Sequence, residues 1–306
     1  MIPAIPFTKM VGTGNDFLIV DTVHGKVGAR ATRWPVLSRL MCNRRHGVGA
    51  DGVLVLEPSR LADCKMRVFN ADGSEAEMCG NGARCVAWFV HRLAGRRRQE
   101  VSIETAGGVV RATVRGERVQ MRMPDPKGLR PSMAVKVAQR CLQVGAVNTG
   151  VPHIVVPVAA LDDVDVDRLG RQLRFHRAFR SRGTNVNFLE TDARRPNRLR
   201  IRTYERGVEG ETLACGTGVT AAAVLHALNG PRRNKARVRR IEVETRGGER
   251  LIVTVTIAPS RTDGASHVTN VTLEGPVRTI CQGVFTPSRL AVSHPTSITR
   301  RTTHAC

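Results

Sequence analysis

Two segments of this chain repeat nearly the same residue pattern, and this repeat constrains the fold more than any other feature. Residues 75–82 read EAEMCGNG and residues 211–218 read ETLACGTG. Each has a glutamate four residues before a cysteine, then Cys-Gly-x-Gly, then apolar residues at helical spacing. A cysteine repeated at a repeated helix start suggests two thiols that serve one site. Taking a proton from one face of a carbon and returning it to the other face requires such a pair.

The duplication extends beyond the cysteines. Residues 14–18 (GNDFL) precede the first cysteine and residues 184–189 (TNVNFL) precede the second. A Glu-Thr-x-Gly-Gly motif follows each cysteine, at 104–108 and at 244–248. Repeats of this length indicate duplicated domains rather than a solenoid, whose repeats are much shorter. We therefore predict two structurally equivalent halves.

A proline-rich stretch at 124–131 marks the predicted boundary between the halves. We place the N-terminal half at residues 1–127 and the C-terminal half at residues 128–285, with the final strand as a candidate to cross back to the first half. Residues 286–306 contain no Asp or Glu and no apolar period, so we expect a disordered basic tail.

Each half is predicted to consist mainly of strands around one longer helix. The helical period after Cys79 ends at Gly95, and the period after Cys215 ends at Asn229. The second helix is apolar nearly all round, which predicts deep burial. We expect both to be central helices wrapped by sheet. Strand-like segments lie at 17–21, 52–56, 65–69, 109–114, 154–158, 200–204, 241–244 and 251–257.

Composition limits the function classes. The net charge of +22 is compatible with nucleic-acid binding, but the basic runs are dispersed and aromatic residues make up only 4%, so we interpret the charge as a solvated basic surface. No apolar run reaches the length of a membrane span, and the first residues do not resemble a secretory signal. The eight cysteines lack paired spacing. We expect a reducing, cytoplasmic location and no membrane partner.

The Cys-Gly-x-Gly context is suited to acid/base chemistry. A helix N-terminus favours a thiolate, and glycines let backbone N–H groups approach a substrate carboxylate. One cysteine would be a thiolate and the other a thiol. Metal-ligand spacing, nucleotide-binding motifs and a lysine marked as a pyridoxal-phosphate anchor are all missing from the sequence. The sequence therefore predicts proton transfer without a cofactor or a metal. The remaining cysteines are predicted to be small buried residues (Cys42, Cys64, Cys85, Cys141 and Cys281) or, for Cys306, a free thiol in the tail.

Five ordered stretches carry a family resemblance: 7–17 (FTKMVGTGNDF), 45–52 (RHGVGADG), 69–84 (FNADGSEAEMCGNGAR), 183–188 (GTNVNF) and 204–218 (YERGVEGETLACGTG). Through them the chain resembles the diaminopimelate epimerase family. The resemblance implies an isomerase that interconverts LL- and meso-diaminopimelate, in lysine and peptidoglycan-precursor biosynthesis. It also implies an α+β fold of two pseudo-symmetric halves, each a barrel-like, mostly antiparallel sheet around a central helix, with the site in the cleft between them.

The resemblance also implies roles for individual residues. Cys79 and Cys215 match the two acid/base cysteines. The positions that match substrate-binding residues are Asn15, Asn70, Gly80, Asn81, Asn185, Glu205, Arg206, Gly216 and Thr217. Gly80, Asn81, Gly216 and Thr217 would hold the reacting carboxylate. Arg206 would bind a carboxylate and Glu205 an ammonium at the non-reacting end.

Three positions depart from the family pattern. Val151 precedes Pro-His where many members have Asn, Gly52 stands where some have Gln, and the loop after Glu205-Arg206 is one residue longer. We interpret His153 as a structural residue. Two alternatives stay open: a racemase of another amino acid on the same fold, and, from a different class, a basic nucleic-acid-binding protein. The sequence also leaves open a homodimer.

Overall fold

The computed structural model describes residues 4–24, 33–180, 183–229, 236–259 and 266–287. Apart from residues 286 and 287, the predicted disordered tail lies outside these ranges. The chain divides into two compact units, one formed by Met1–Met121 with Pro276–Cys306 and the other by Arg122–Gly275. The division at residue 127 stays a prediction.

The described residues of the first unit form two helices and nine strands. Its helices are α1 (Trp34–Cys42) and α2 (Gly80–Leu93). Its strands are β1 (Ile5–Gly12), β2 (Asn15–Asp21), β3 (Gly52–Glu57), β4 (Cys64–Asn70), β5 (Glu75–Ala76), β6 (Glu100–Thr105), β7 (Gly108–Arg115), β8 (Arg118–Arg122) and, at the end of the described chain, β18 (Arg278–Phe285).

In the part of the second unit that the structure describes there are also nine strands, with two α-helices and a short 3₁₀ helix (Arg177–Phe179). The helices are α3 (Val166–Arg174) and α4 (Gly216–Leu228). The strands are β9 (Lys127–Val137), β10 (Arg140–Asn148), β11 (Pro152–Pro157), β12 (Asn185–Thr191), β13 (Arg198–Glu205), β14 (Gly210–Thr212), β15 (Arg237–Glu244), β16 (Arg250–Pro259) and β17 (Ser266–Pro276).

In the first unit, neighbouring strands run in the order β18-β1-β2-β3-β4-β6-β7-β8, and β5 adds to β4. Two of these pairs are parallel, β2 with β3 and β4 with β6. A parallel pair needs a crossover, and α1 and α2 lie in the two crossovers. The other pairs are antiparallel. The described pairings leave this sheet open between β18 and β8.

The second unit repeats this topology strand for strand. Its order is β9-β10-β11-β12-β13-β15-β16-β17, with β14 added to β13. The parallel pairs are again the third and the fifth, β11 with β12 and β13 with β15, and α3 and α4 lie in their crossovers. The α+β fold of two equivalent, mostly antiparallel halves is therefore confirmed, as an open sheet in each half.

Each cysteine-associated helix is central to its unit. Helix α2 packs on β1, β2, β4, β6 and β7, and α4 packs on β10, β11, β12, β13, β15 and β16. Ala222 and Val224 of α4 are both 0% exposed, in line with a helix that is apolar all round. Burying an aliphatic side chain contributes about 1.5–3 kcal/mol, so these contacts hold each helix start in place. Among the described helices, none combines the length and apolar character needed to cross a bilayer.

Helices α1 and α3 and more than half of the strands were not anticipated from the sequence. Both helices have nine residues, and α1 starts with a proline in its first turn. Because so short a helix is marginal on its own, packing rather than local pattern decides it. Helix α1 buries Leu37 and Met41 against β3 and β4.

Candidate active site

Each of the two duplicated cysteines lies immediately before a central helix, and their backbones have the same conformation. Cys79 has φ −137° and ψ 113° before α2, and Cys215 has φ −124° and ψ 111° before α4. Their carbonyl oxygens accept the first helical hydrogen bonds, from Ala83 N–H at 2.8 Å and Val219 N–H at 2.9 Å. The N–H groups of the first turn have no helical acceptor, so each helix start can bind an anion.

The second glycine of each Cys-Gly-x-Gly motif is closely packed, most tightly in the second motif. A Cβ on Gly82 would lie 3.0 Å from Leu54 Cδ2, and a Cβ on Gly218 would lie 2.3 Å from Asn187 Oδ1. The first glycine of the first motif has a different environment, because a Cβ on Gly80 would meet no described atom within 4 Å. The backbone beside Cys79 therefore borders open space.

The sulfur of Cys79 serves as the helix cap. The residue is 1% exposed, and its Sγ accepts a hydrogen bond from Gly82 N–H at 3.3 Å. The sulfur thus takes the place of the Ser or Asp oxygen that usually caps a helix. An N–H donated to sulfur favours the thiolate over the thiol.

Cys215 is in a different electrostatic environment. Burial raises the pKa of its thiol to about 12, and the negative charge of Glu205 adds to the rise. Hydrogen bonds from Thr217 and from the backbone N–H of Gly218 oppose it. The helix start was expected to lower the pKa of a cysteine, but at Cys215 desolvation outweighs that effect. The thiol is therefore protonated at neutral pH.

In the first unit, a chain of side-chain hydrogen bonds joins two of the sequence-predicted site residues. Buried Arg84 donates to Asn81 Oδ1 at 2.8 Å and also to the Thr13 hydroxyl. Asn81 Nδ2 donates to Asn15 Oδ1 at 2.6 Å, and Asn15 Nδ2 donates to Asp51 Oδ2 at 3.2 Å. Because Arg only donates and a carboxylate only accepts, the two ends fix the orientation of both amides.

Asn70 lies at the end of β4 and is 7% exposed. Its Nδ2 donates to Ser74 Oγ at 2.9 Å, whereas its Oδ1 is buried with no hydrogen-bond partner among the described residues. A buried acceptor without a donor is costly. A ligand ammonium that donated to this oxygen would remove that cost, which fits the predicted role of Asn70.

In the second unit, three predicted site residues lie together where β12 begins and β13 ends. Asn185 Nδ2 donates to Pro152 O at 2.9 Å, and its Oδ1 accepts from Arg206 N–H at 2.8 Å. Glu205 is 7% exposed, and burial raises the pKa of its carboxyl, an effect that the Thr212 hydroxyl opposes. Glu205 also acts on the thiol of Cys215, so this group and the start of α4 form one polar cluster.

His153 belongs to the same cluster. It is 1% exposed, and its Nε2 lies 2.9 Å from Thr217 Oγ1, which in turn lies 3.4 Å from Cys215 Sγ. Burial and the nearby charge of Arg206 lower the pKa of the imidazole to about 3. His153 is therefore neutral, and it reaches the cysteine through the Thr217 hydroxyl.

Three residues that hold the predicted ones in place, directly or through a neighbour, were not anticipated from the sequence: Arg84 and Asp51 in the first unit and Asn187 in the second. Two of them had usable signals. Arg84 lies three residues after Asn81, hence on the same side of α2, and Asn187 lies two residues after Asn185 on a strand. In the described part of the chain, no group of three or more His, Cys, Asp or Glu side chains is arranged to hold a metal ion.

Comparison with known proteins identifies relatives across most of the chain. The model of the diaminopimelate epimerase family matches residues 7–127 and 145–268. A curated diaminopimelate epimerase from Archaeoglobus fulgidus is 40% identical over 278 residues, which cover 86% of this chain and 94% of that protein.

Solved structures show the same fold at low sequence identity. A phenazine biosynthesis protein of the PhzF family from Bacillus anthracis has a TM-score of 0.65 at 18% identity, covering 92% of this chain and 99% of its own. A hydroxyproline epimerase from Agrobacterium vitis, with trans-4-hydroxy-L-proline bound, has a TM-score of 0.61 at 17% identity, covering 94% of each chain.

Proposed function

This chain belongs to the diaminopimelate epimerase family, and from that membership we propose that it interconverts LL- and meso-diaminopimelate, in lysine and peptidoglycan-precursor biosynthesis. The observation that carries the proposal is the pair of cysteines, Cys79 and Cys215, each at the N-cap position of a central helix with the same backbone conformation. An epimerase must remove a proton from one face of the α-carbon and add one to the other. Two equivalent thiols at two equivalent helix starts suit that requirement.

The different environments of the thiols suggest which acts as base. In the reduced protein each sulfur accepts an N–H from the first turn of its helix, from Gly82 at Cys79 and from Gly218 at Cys215, whereas the negative charge of Glu205 acts on Cys215 and favours its protonated form. In one direction Cys79 takes the α-proton and becomes a thiol, while Cys215 gives its proton to the opposite face and becomes a thiolate. The reverse reaction exchanges these roles, so the pair ends each turnover with one proton in total. In this scheme the bound carboxylate alone stabilises the negative charge that develops at the α-carbon, so we propose a cofactor-free reaction.

Substrate contacts follow from the chemistry of the surrounding groups. The first-turn N–H groups at Gly80-Asn81 and at Gly216-Thr217 would bind the carboxylate next to the reacting carbon, and they would stabilise the charge that develops there. Asn15 would assist from its fixed orientation. At the other end of the substrate, the Arg206 guanidinium would bind the second carboxylate.

The second ammonium group of the substrate would be bound by anions and amide oxygens. Glu205 is buried, and an arriving ammonium would return its raised pKa towards the ordinary range. The unsatisfied Oδ1 of Asn70 is a further acceptor, and Asn185 lies beside Arg206. A racemase of a smaller amino acid would not need this second set of polar groups.

Proton NMR of LL-diaminopimelate with the reduced protein in D₂O tests the proposal. The expected result is appearance of the meso form, with deuterium entering at the α-carbon as it forms. Exchange of the α-proton of another amino acid, with none in diaminopimelate, would support the racemase instead. Salt-sensitive DNA binding without any α-proton exchange would support the nucleic-acid-binding alternative.

Two further features belong to the proposal. We infer a cytoplasmic enzyme without a specific nucleic-acid partner, since its substrate is a biosynthetic intermediate and its basic runs are dispersed.

We also infer a homodimer, because β18 presents Ile280 (54% exposed) and Val284 (61% exposed) to solvent, and contact with a second copy would bury them. Light scattering after size-exclusion chromatography tests the dimer, and a monomer across micromolar concentrations would contradict it.

A further inference from the structure

A second polar chain leads to Cys215, and it is fully buried at Asn187 and His153 and partly buried at Thr217 and Cys215. Asn187 on β12 is 0% exposed, and its Nδ2 lies 3.1 Å from His153 Nδ1 and 2.8 Å from Ile154 O. The Thr203 hydroxyl donates to Asn187 Oδ1 at 3.1 Å. From His153 the chain continues through Thr217 Oγ1 to Cys215 Sγ, at 2.9 and 3.4 Å.

The direction of each hydrogen bond follows from the chemistry of the groups. A backbone carbonyl only accepts, so the Asn187 atom that faces Ile154 O is the amide nitrogen. The second hydrogen of that NH₂ group points at His153 Nδ1, which must then be the unprotonated ring nitrogen.

The donor of each of the next two hydrogen bonds, between His153 and Thr217 and between Thr217 and Cys215, can be assigned in the same way. Since His153 is neutral, its one ring hydrogen is on Nε2 and is donated to Thr217 Oγ1. The Thr217 hydroxyl then has its own hydrogen left to donate to Cys215 Sγ. A hydrogen bond donated to sulfur stabilises the thiolate.

Close packing holds Asn187 in this arrangement. A Cβ added to Gly218 would lie 2.3 Å from Asn187 Oδ1, so the amide fits directly against the start of α4. The charged and titratable groups that act on this cluster are Arg206, which lowers the pKa of His153, and Glu205, which raises the pKa of Cys215.

We propose that Asn187 is a positioning residue that holds His153 with its proton on Nε2, so that the Thr217 hydroxyl donates to the sulfur of Cys215. In the reaction proposed above, Cys215 gives up its proton and later regains it, and the hydrogen bond from Thr217 helps that thiolate to form. The inference rests on the proposed function only for this consequence in turnover. The hydrogen-bond directions and the reactivity of the thiol can be measured without any substrate.

The first test is ¹⁵N NMR of the wild-type protein labelled at histidine, because protonated and unprotonated ring nitrogens have distinct chemical shifts. His153 is assigned as the resonance pair lost in His153→Gln. The expected result is a protonated Nε2 and an unprotonated Nδ1. A proton on Nδ1 would overturn the proposal, and the ring nitrogens themselves are observed in the wild-type protein.

The second test measures how fast iodoacetamide alkylates Cys215, by peptide mass spectrometry as a function of pH. Asn187→Leu and Thr217→Val should each slow alkylation by roughly 2- to 10-fold, the effect of one hydrogen bond. The double variant should be no slower than Thr217→Val alone, because both changes act through the same hydroxyl. Independent, multiplying effects would overturn the proposal.

Thr203→Val is the matched control. It removes the hydroxyl that contacts Asn187 Oδ1 but leaves both hydrogen bonds that the amide donates. The ring proton of His153 should stay on Nε2, and Cys215 should be alkylated at the wild-type rate. Slowing equal to that in Asn187→Leu would mean that any change of packing here affects the thiol, which would refute a specific role for Asn187.

Discussion

Glu211 accepts two hydrogen bonds from Arg202, at 2.7 Å to each carboxylate oxygen, and this bidentate pair connects β14 to β13 just before Cys215. The first unit contains the same pair, with Arg67 donating to Glu75 at 2.7 and 2.8 Å. The glutamate four residues before each cysteine is thus a structural residue. It anchors the short strand from which the chain enters the central helix.

Arg202→Gln should lower the free energy of unfolding by about 1–3 kcal/mol, because the half-buried Glu211 loses a bidentate partner. The change also removes the bonds from Arg202 to Leu161 O and Val164 O. Denaturant unfolding measures the loss. Arg200→Gln, which breaks the more exposed ion pairs of the same strand with Asp162 and Glu190, should cost at most about 1 kcal/mol. Equal effects in the two variants would rule out a special role for the pair.

Cys79→Ala and Cys215→Ala should each reduce epimerisation by at least about 100-fold, since each removes one of the two acid/base groups. Circular dichroism should show an intact fold in both variants. Cys141→Ala, at an exposed cysteine on β10, is the control and should keep wild-type activity. Substantial activity in Cys79→Ala or in Cys215→Ala would contradict the two-thiol mechanism.

Stability should also depend on pH through Glu75. Its pKa is lowered, chiefly by hydrogen bonds from Arg67, so the folded state favours the carboxylate. The stabilisation is therefore present above the ordinary Glu pKa and is lost as the pH falls through the lower, folded-state value. The melting temperature of Glu75→Gln should lie below that of wild type at neutral pH, and the gap should close on acidification. A constant gap would count against this assignment.

Asp51→Asn should weaken substrate binding more than turnover. Its carboxylate fixes Asn15, and through Asn15 the orientation of Asn81. An amide at position 51 can present NH₂ to Asn15, which would then turn away from its present orientation. We expect KM for diaminopimelate to rise about tenfold with a smaller change in kcat. Asp192→Asn, which alters an exposed turn in the other unit, is the control and should leave KM unchanged. A fall in kcat alone would contradict the assignment.

At the starts of the two central helices, local sequence patterns were enough to predict the structure. The two Cys-Gly-x-Gly motifs and the apolar periods after them predicted α2 and α4, and the resemblance supplied the fold class and the candidate residues. The long strands with alternating apolar residues, such as β16, were also predicted. These features depend on residues close together in the chain.

The parts that were missed depend on residues far apart in the chain. Arg84 contacts Thr13 across 71 positions, and Asn187 contacts His153 across 34. The raised pKa of Cys215 is likewise a property of the folded surroundings, since desolvation opposes the effect expected from the helix start. His153, interpreted as structural, is indeed buried, but its link to Thr217 could not be read from its neighbours in sequence.

Strand β18 has a consequence for how the chain matures during synthesis. It is the last described strand, yet it pairs with β1 and belongs to the first unit, whereas Arg122–Gly275 supplies every strand of the second. A ribosome therefore releases all of the second unit before it releases the residues that complete the first. The half that carries Cys79 therefore stays incomplete, with the outer edge of β1 unpaired by β18, until the ribosome has passed Phe285.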